Sequence, residues 1–367
     1  MSIWDIKERY KKARANTDST AGLGFHAGGN NSSDYKRIEK IVTTTAGNST
    51  DFGTLSTAGS GGNTQACCGT HVKTLFGGDS SPGNVIEKMV PQVGGVCSDW
   101  GDLSASRFCI GGGSNNTRAV WMGGQSPGKG DVIDFHTLSS EGNATDFGDI
   151  SIDRRQLAGG SSSRRAFAAG GDTGPGAGTF SNVIEYVEIA TTGNASDFGD
   201  LTANRASAPQ YAGDNTIGYF AGGQTPTYLS SYDRIVHATT GNGVDFGDLS
   251  VARRGPASVS DQIRGIWMGG IDPNGDVNTI DRIFLDTAGT ATDFGDLTQV
   301  NQFGQSGATR HGGLTDTNAP FNEIIPQRPS VTYMPGSGRA LFGGGYVSPA
   351  SITVIQMSNI PTLGNTS

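Results

Sequence analysis

The stretch Thr191-Thr192-Gly193-Asn194-Ala195-Ser196-Asp197-Phe198-Gly199-Asp200-Leu201-Thr202 decides the fold, because the chain keeps returning to it. Its Asp-aromatic-Gly centre begins at residues 51, 99, 146, 197, 245 and 293, at intervals of 48, 47, 51, 48 and 48 residues. A Gly-Gly pair closing a short apolar strand begins at residues 28, 77, 123, 170, 222, 269 and 343. A period of this length is that of a four-stranded propeller blade. Within each period the order is constant. An Arg-bearing segment (Arg107, Arg154, Arg205, Arg253) leads into a first strand, and the apolar strand ending in Gly-Gly follows. After a variable loop comes a third strand with an apolar-acid step: Ile38-Glu39, Ile86-Glu87, Ile133-Asp134, Ile184-Glu185, Tyr232-Asp233 and Ile280-Asp281. A Gly-Asn turn (Gly47-Asn48, Gly142-Asn143, Gly193-Asn194, Gly241-Asn242) then leads to the Asp-Phe-Gly-Asp-Leu strand. Gly-Asn between β-rich runs is a hairpin signal, since both residues tolerate positive φ. The recurrent Phe52, Trp100, Phe147, Phe198, Phe246 and Phe294 are expected to fill the space between adjacent blades.

This layout resembles the kelch β-propeller family over essentially the whole chain, with Phe in most places where kelch blades carry Trp in the fourth strand. The wording of residues 191–202 is similar to repeat arrays in structural proteins of tailed phages, especially those infecting marine cyanobacteria. The first resemblance implies an all-β propeller with four antiparallel strands per blade. The second implies a protein of the virion.

Seven Gly-Gly strands against six Asp-aromatic-Gly strands predict seven blades, one of them short of its last strand. Ile3-Trp4-Asp5-Ile6-Lys7-Glu8-Arg9 approximates the Phe-Gly-Asp-Leu-Thr-X-X-Arg of the other blades. The N-terminus is therefore expected to complete the C-terminal blade and close the ring, removing an open sheet edge. An amphipathic anchor helix within residues 1–15 is the competing reading. The expected organisation is one propeller domain over residues 1–367, with an insertion at about 304–332 in the last blade, where the step from Asp293 to Gly343 is twice the usual length.

Composition narrows the function. The chain has 367 residues, 58 of them Gly, with 34% hydrophobic residues and a net charge of −8. Low apolar content suits many thin layers better than one thick core. Scattered Lys and Arg on an acidic chain argue against nucleic acid, and no apolar run is long enough for a membrane-spanning helix. Met1–Arg9 lacks the apolar core of a secretion signal. Cys67, Cys68, Cys97 and Cys109 have no metal-type spacing and are expected to be idle thiols. The five histidines form no ligand pattern.

The recurrent Asp-Phe-Gly lacks the glycine-rich loop and His-Arg-Asp segment of a kinase. An acid repeated in register is expected to be a structural hydrogen-bond acceptor rather than half of a catalytic pair, and the repeated arginines are expected to bond neighbouring turns. No enzymatic role and no cofactor are expected. The leading expectation is a non-enzymatic virion structural protein, assembled in the host cytoplasm. It would dock on capsid, neck or tail and contact other virion proteins in symmetric multiple copies. The alternative is a propeller that binds a carbohydrate or receptor for host attachment, with a host-surface glycan as partner and aromatic residues such as Tyr228 or Tyr232 in its loops. The insertion supplies the candidate partner-binding residues: Phe321, Ile324 and Ile325 as apolar anchors between prolines, and Arg310, Asn322 and Arg328 as a polar rim.

Overall fold

A computed structural model describes residues 22–29, 36–56, 66–78, 83–125, 128–174, 179–206, 210–309, 311 and 313–314, together with the backbone of 339–347 and 350–359. The chain divides into two compact units, Met1–Ala319 and Pro320–Ser367. Every regular element among the described residues is a β-strand.

The first unit is a β-propeller of six blades, each a four-stranded antiparallel sheet running outward from the axis. Its innermost strands are Ala66–Thr70, Gly111–Ser114, Ala158–Ser161, Gln210–Gly213, Ala257–Ser260 and Gln305–Ala308. Each innermost strand packs against the next, so they form a closed ring. The Gly-Gly strands come second, the apolar-acid strands third, and the Asp-aromatic-Gly strands form the rim. The first blade gains a fifth strand, because Gly95–Val96 from the second blade pairs in parallel with Thr50–Thr54.

The ring differs from the sequence expectation in blade number and closure. It has six blades, not seven, and a strand following the sixth blade closes it on the first. Gln305–Ala308 pairs antiparallel with Leu23–Ala27, setting Gly24 opposite Ala308 and Ala27 opposite Gln305. The slot that closure requires is thus filled from within the stretch read as an insertion. The early part of residues 304–332 is the innermost strand of the first blade. The seventh Gly-Gly lies on Arg339–Val347, which pairs with Ala350–Asn359 as a hairpin of the second unit. Ile3–Arg9 lies outside the described residues.

Each rim strand carries a β-bulge at the same place. In the third blade, Ile133 faces Gly148 and Asp134 faces Asp146, leaving Phe147 as the extra residue. The same shift falls at Ile38/Glu39, Ile86/Glu87, Ile184/Glu185, Tyr232/Asp233 and Ile280/Asp281. A bulge re-aims a side chain, and here it directs the aromatic at the next blade. Phe147 packs with Val120 and Ile133 of its own blade and with Leu157, Ala166 and Val187 of the fourth. Phe198 joins Phe167 and Ile184 to Tyr211, Phe220 and Ile235. Phe294 joins the sixth blade to Ile41 and Ala308 of the first, so the same packing spans the closure. The aromatics occupy the interblade space, as their recurrence predicts.

The Gly-Asn turns do more than reverse the chain. Gly193 N donates to Phe147 O at 2.7 Å, and Asn194 Oδ1 accepts from Asp149 N at 3.2 Å. Gly142 and Asn143 make the same pair of bonds to the second blade, and Gly47 and Asn48 to the sixth. This close approach explains the glycine of Asp-aromatic-Gly. A Cβ on Gly148 would lie 2.5 Å from the Gly193 carbonyl, and φ there is +144°.

The repeated acids and arginines form the remaining interblade lock. The linkers leaving the second, third, fourth and fifth rim strands each place a Ser or Thr, and three residues later an Arg, on the acid of the following blade's third strand; after the first rim strand Ser56 holds Glu87. Thr202 N donates to Asp233 Oδ2 at 2.8 Å and its hydroxyl to Oδ1 at 2.7 Å. Arg205 NH2 reaches Asp233 Oδ1 at 3.0 Å, while NH1 donates to the Ser231 and Gly222 carbonyls. Ser104 and Arg107 hold Asp134, Ser151 and Arg154 hold Glu185, and Ser250 and Arg253 hold Asp281 in the same way. Burial holds the pKa of each guanidinium below its ordinary value, and the facing acid offsets only part of that. At the closure Thr298 holds Glu39, and Asn301 replaces arginine, donating to Gly28 O at 2.8 Å.

Arg205→Ala should destabilise the ring by about 3–5 kcal/mol in chemical denaturation, because it strands a buried carboxylate. Arg205→Met combined with Asp233→Leu should recover most of that loss; a double variant no better than the single would show that the pair is not the source. A chain ending at Phe303 should elute as aggregates, because Leu23–Ala27 becomes an open edge. A monomeric truncated chain with an unchanged melting temperature would remove Gln305–Ala308 as the closing strand.

Candidate functional site

The six innermost strands enclose an axial cavity of about 80 Å³. That is room for a few water molecules. Its wall is mostly glycine, alanine and serine, because side chains pointing at the axis of a six-bladed ring meet the neighbouring strand. A Cβ on Gly159 would lie 2.0 Å from Gly112 N. Hydroxyls stitch successive strands in one rotational sense. Ser114 Oγ donates to Gly69 O at 3.1 Å, Ser161 Oγ to Ser114 O at 2.8 Å, Tyr211 OH to Ser161 O at 3.2 Å, and Ser258 Oγ to Tyr211 O at 2.5 Å.

One end of the cavity is covered by the chain that follows the closing strand. His311 Nε2 lies 2.8 Å from Gly69 O and Nδ1 accepts from Gly313 N at 3.1 Å, which together define a neutral ring with the proton on Nε2. Gln262 Nε2 donates to the carbonyls of His311 and Leu314, and Leu314 is buried. Burial keeps the His311 pKa below its ordinary value.

The other end is ringed by the linkers. The residues two places after Arg107, Arg154, Arg253 and Asn301 adopt a left-handed conformation: Cys109 (φ 58°), Gln156 (φ 55°), Gly255 (φ 59°) and Phe303 (φ 56°). Gln156 N donates to Cys109 O, and Phe303 N to Gly255 O, so these residues brace one another around the mouth. The next ring outward is polar. Arg155 bonds Gln125 and Asp172, Lys129 reaches Asp172 at 2.8 Å, and Arg254 donates to Gln224 at 2.8 Å.

Arg310, Phe321, Asn322, Ile324, Ile325 and Arg328 lie outside the described residues. Tyr232 is corrected as a loop aromatic. It is fully buried between the fifth and sixth blades, stacked on Trp267, with its hydroxyl donating to Gly289 O at 2.6 Å. Tyr228 is half-buried in a short hairpin beside the mouth, with Arg254 over its ring. Cys68, Cys97 and Cys109 are buried, and Cys67 lines the cavity. Burial pushes Cys97 up to about 12 and raises Cys67 and Cys68 as well. Among the described residues no three His, Cys, Asp or Glu side chains gather as a metal site. Sequence reasoning missed Arg254 and Phe303, although each sits a fixed step after a repeat landmark.

Burial pushes His237, which stacks on Phe167 and lies 2.9 Å from the Tyr211 hydroxyl, down to about 4, and His26 likewise. Both are neutral in the fold at neutral pH. Below the ordinary value of 6.5 the unfolded chain takes up protons that the folded chain refuses. Their contribution is therefore complete above about pH 6.5 and lost as the pH falls toward 4, at about 3 kcal/mol for His237. Denaturation midpoints measured across that range should fall more steeply for the unmodified chain than for His237→Gln; parallel curves would exclude His237 as a source of acid sensitivity.

No protein-family model matches the chain, and no curated protein matches it.

Proposed function

We propose that the chain is a non-enzymatic structural protein of a phage virion, a kelch-like propeller that docks on capsid, neck or tail and contacts other virion proteins. The observation that carries this reading is the use to which the repeat is put. Its acids, its arginines, its aromatics and its Gly-Asn turns all serve to join one blade to the next. What varies between blades is the set of loops following Gly-Gly, so the first unit is a ring presenting non-identical faces. Such a ring suits attachment in multiple symmetric copies, where weak contacts gain by multiplicity. The similarity of residues 191–202 to repeats of tailed-phage structural proteins supports the virion as the location.

The test is quantitative mass spectrometry of purified particles separated into heads and tails. The expected result is this chain in one fraction at a fixed copy number that matches the symmetry of that part. Its absence from washed particles, or a copy number that varies between preparations, would overturn the assignment.

A further inference from the structure

The residue following each axial Arg pairs through backbone hydrogen bonds with the residue following Gly-Gly: Phe108 with Gln125, Arg155 with Asp172, Ala206 with Gln224, and Arg254 with Ile271. These four equivalent places form the polar ring at the mouth and can be compared directly. In the fourth blade a cation faces an acid. Arg155 Nε lies 3.0 Å from Asp172 Oδ2, and Lys129 adds a second cation to the same carboxylate. In the sixth blade isoleucine takes the acid's place. Arg254 consequently has no carboxylate within ion-pair distance among the described residues. Asp272, next in sequence to Ile271, uses its carboxylate in its own turn, accepting from Asn274 N at 2.7 Å and Gly275 N at 3.0 Å.

Arg254 is also held in place. Its guanidinium carbon lies 5.4 Å from the Tyr228 ring centre and 5.8 Å from that of Phe303, both within cation–π range. NH1 donates to Gln224 Oε1. The left-handed backbone of Phe303 turns its ring onto Gly255, where a Cβ would lie 2.4 Å from the ring. A half-buried, pre-oriented guanidinium with no acid of its own is the group that recognises a planar anion.

We propose that Arg254, with Tyr228, Phe303 and Gln224, binds the carboxylate of an acidic sugar in a surface polysaccharide. At the mouth, a cation with no carboxylate partner among the described residues suits a single carboxylate among neutral hydroxyls, while the chain's net charge of −8 disfavours phosphate polymers. An extended peptide would need a free strand edge. The nearby backbone groups are already paired, Gln224 with Ala206 and Arg254 with Ile271 in both directions. Tyr228 with the neighbouring Thr225 and Thr227 offers the mixture of ring and hydroxyl that a sugar requires, while the Gln224 amide, bonded to Arg254 and to Pro226 O, holds the guanidinium in place. The site does not depend on where in a particle the protein resides.

Titration calorimetry of the full chain at low salt tests this with oligosaccharides containing glucuronate, galacturonate or N-acetylneuraminate. Each is run beside its methyl ester, with an Asp/Glu-rich peptide as comparison. The expected result is saturable binding of at least one acidic oligosaccharide, abolished by esterification and weakened by added salt. Arg254→Gln should weaken it about tenfold or more, Arg254→Lys less, and Arg164→Gln, at an exposed arginine, not at all. Melting curves establish that each variant is folded; should Arg254→Gln unfold, Tyr228→Ala is read in its place with the same expectation. Binding by none of the acidic sugars, equal affinity for an ester, equal affinity of the folded variant, or tighter binding of the peptide would each overturn the proposal. Incorporation of Arg254→Gln into particles at the normal level would separate sugar binding from the proposed virion role.

Discussion

A single carboxylate per blade, on the third strand beside the bulge, is the contact on which the ring depends. It is buried, so it needs strong donors, and the chain supplies them from the linker that arrives from the preceding blade. That arrangement makes one residue report on three elements: its own strand, the previous rim strand through Ser or Thr, and the axis through Arg. The net stability of a buried ion pair over an apolar replacement is small or negative. Its value here lies in register. Thin blades joined only by apolar packing could slide past one another, whereas a carboxylate with donors in fixed directions admits one alignment. The same logic explains why Asn301 suffices at the closure, where Thr298 still holds Glu39 and the antiparallel pairing with Gln305–Ala308 supplies direction.

The bulge and the glycine after it are consequences of the same geometry. Inserting the aromatic as an unpaired residue swings it to the neighbouring blade and bends the rim strand, and the next residue then passes so close to the Gly-Asn turn that no side chain fits. The rim strands left at the edge carry exposed aspartates, such as Asp99, Asp146, Asp197 and Asp245. Charge on an unpaired edge discourages pairing with other chains. A short motif thus encodes interblade packing, interblade hydrogen bonding and edge protection together, which is why it recurs with so little variation.

That density of function in one motif also governs what was legible in the sequence. Strands two, three and four announce themselves, because each carries an obligatory residue: Gly-Gly, the acid, and the bulged aromatic. The innermost strand carries none. At the axis the main requirement is that side chains be small, and small residues in a row do not distinguish a strand from a loop. Gln305-Ser306-Gly307-Ala308 has the composition of a loop and is the strand that closes the ring. With no marker on the innermost strand, counting Gly-Gly pairs overcounts the blades. The pair at Gly343 belongs to a hairpin of the second unit, and the closing strand lies unannounced inside the supposed insertion.

The site was less legible for a related reason. Residues that bind something other than their own chain need not repeat, so a reading built on recurrence passes over them. Arg254 becomes visible only when the equivalent places are superposed in space, because the acid that neutralises Arg155 comes from a different part of the blade, 17 residues away. Tyr232 shows the converse. It stands where other blades have isoleucine, which gives it the look of a singular loop aromatic, yet it fills the same buried place and adds one hydrogen bond. In a repeat protein a change of residue type at a core position is absorbed by packing. A change that removes the acid facing a cation at the mouth of the axis is not absorbed by the fold, and that difference is what singles out Arg254.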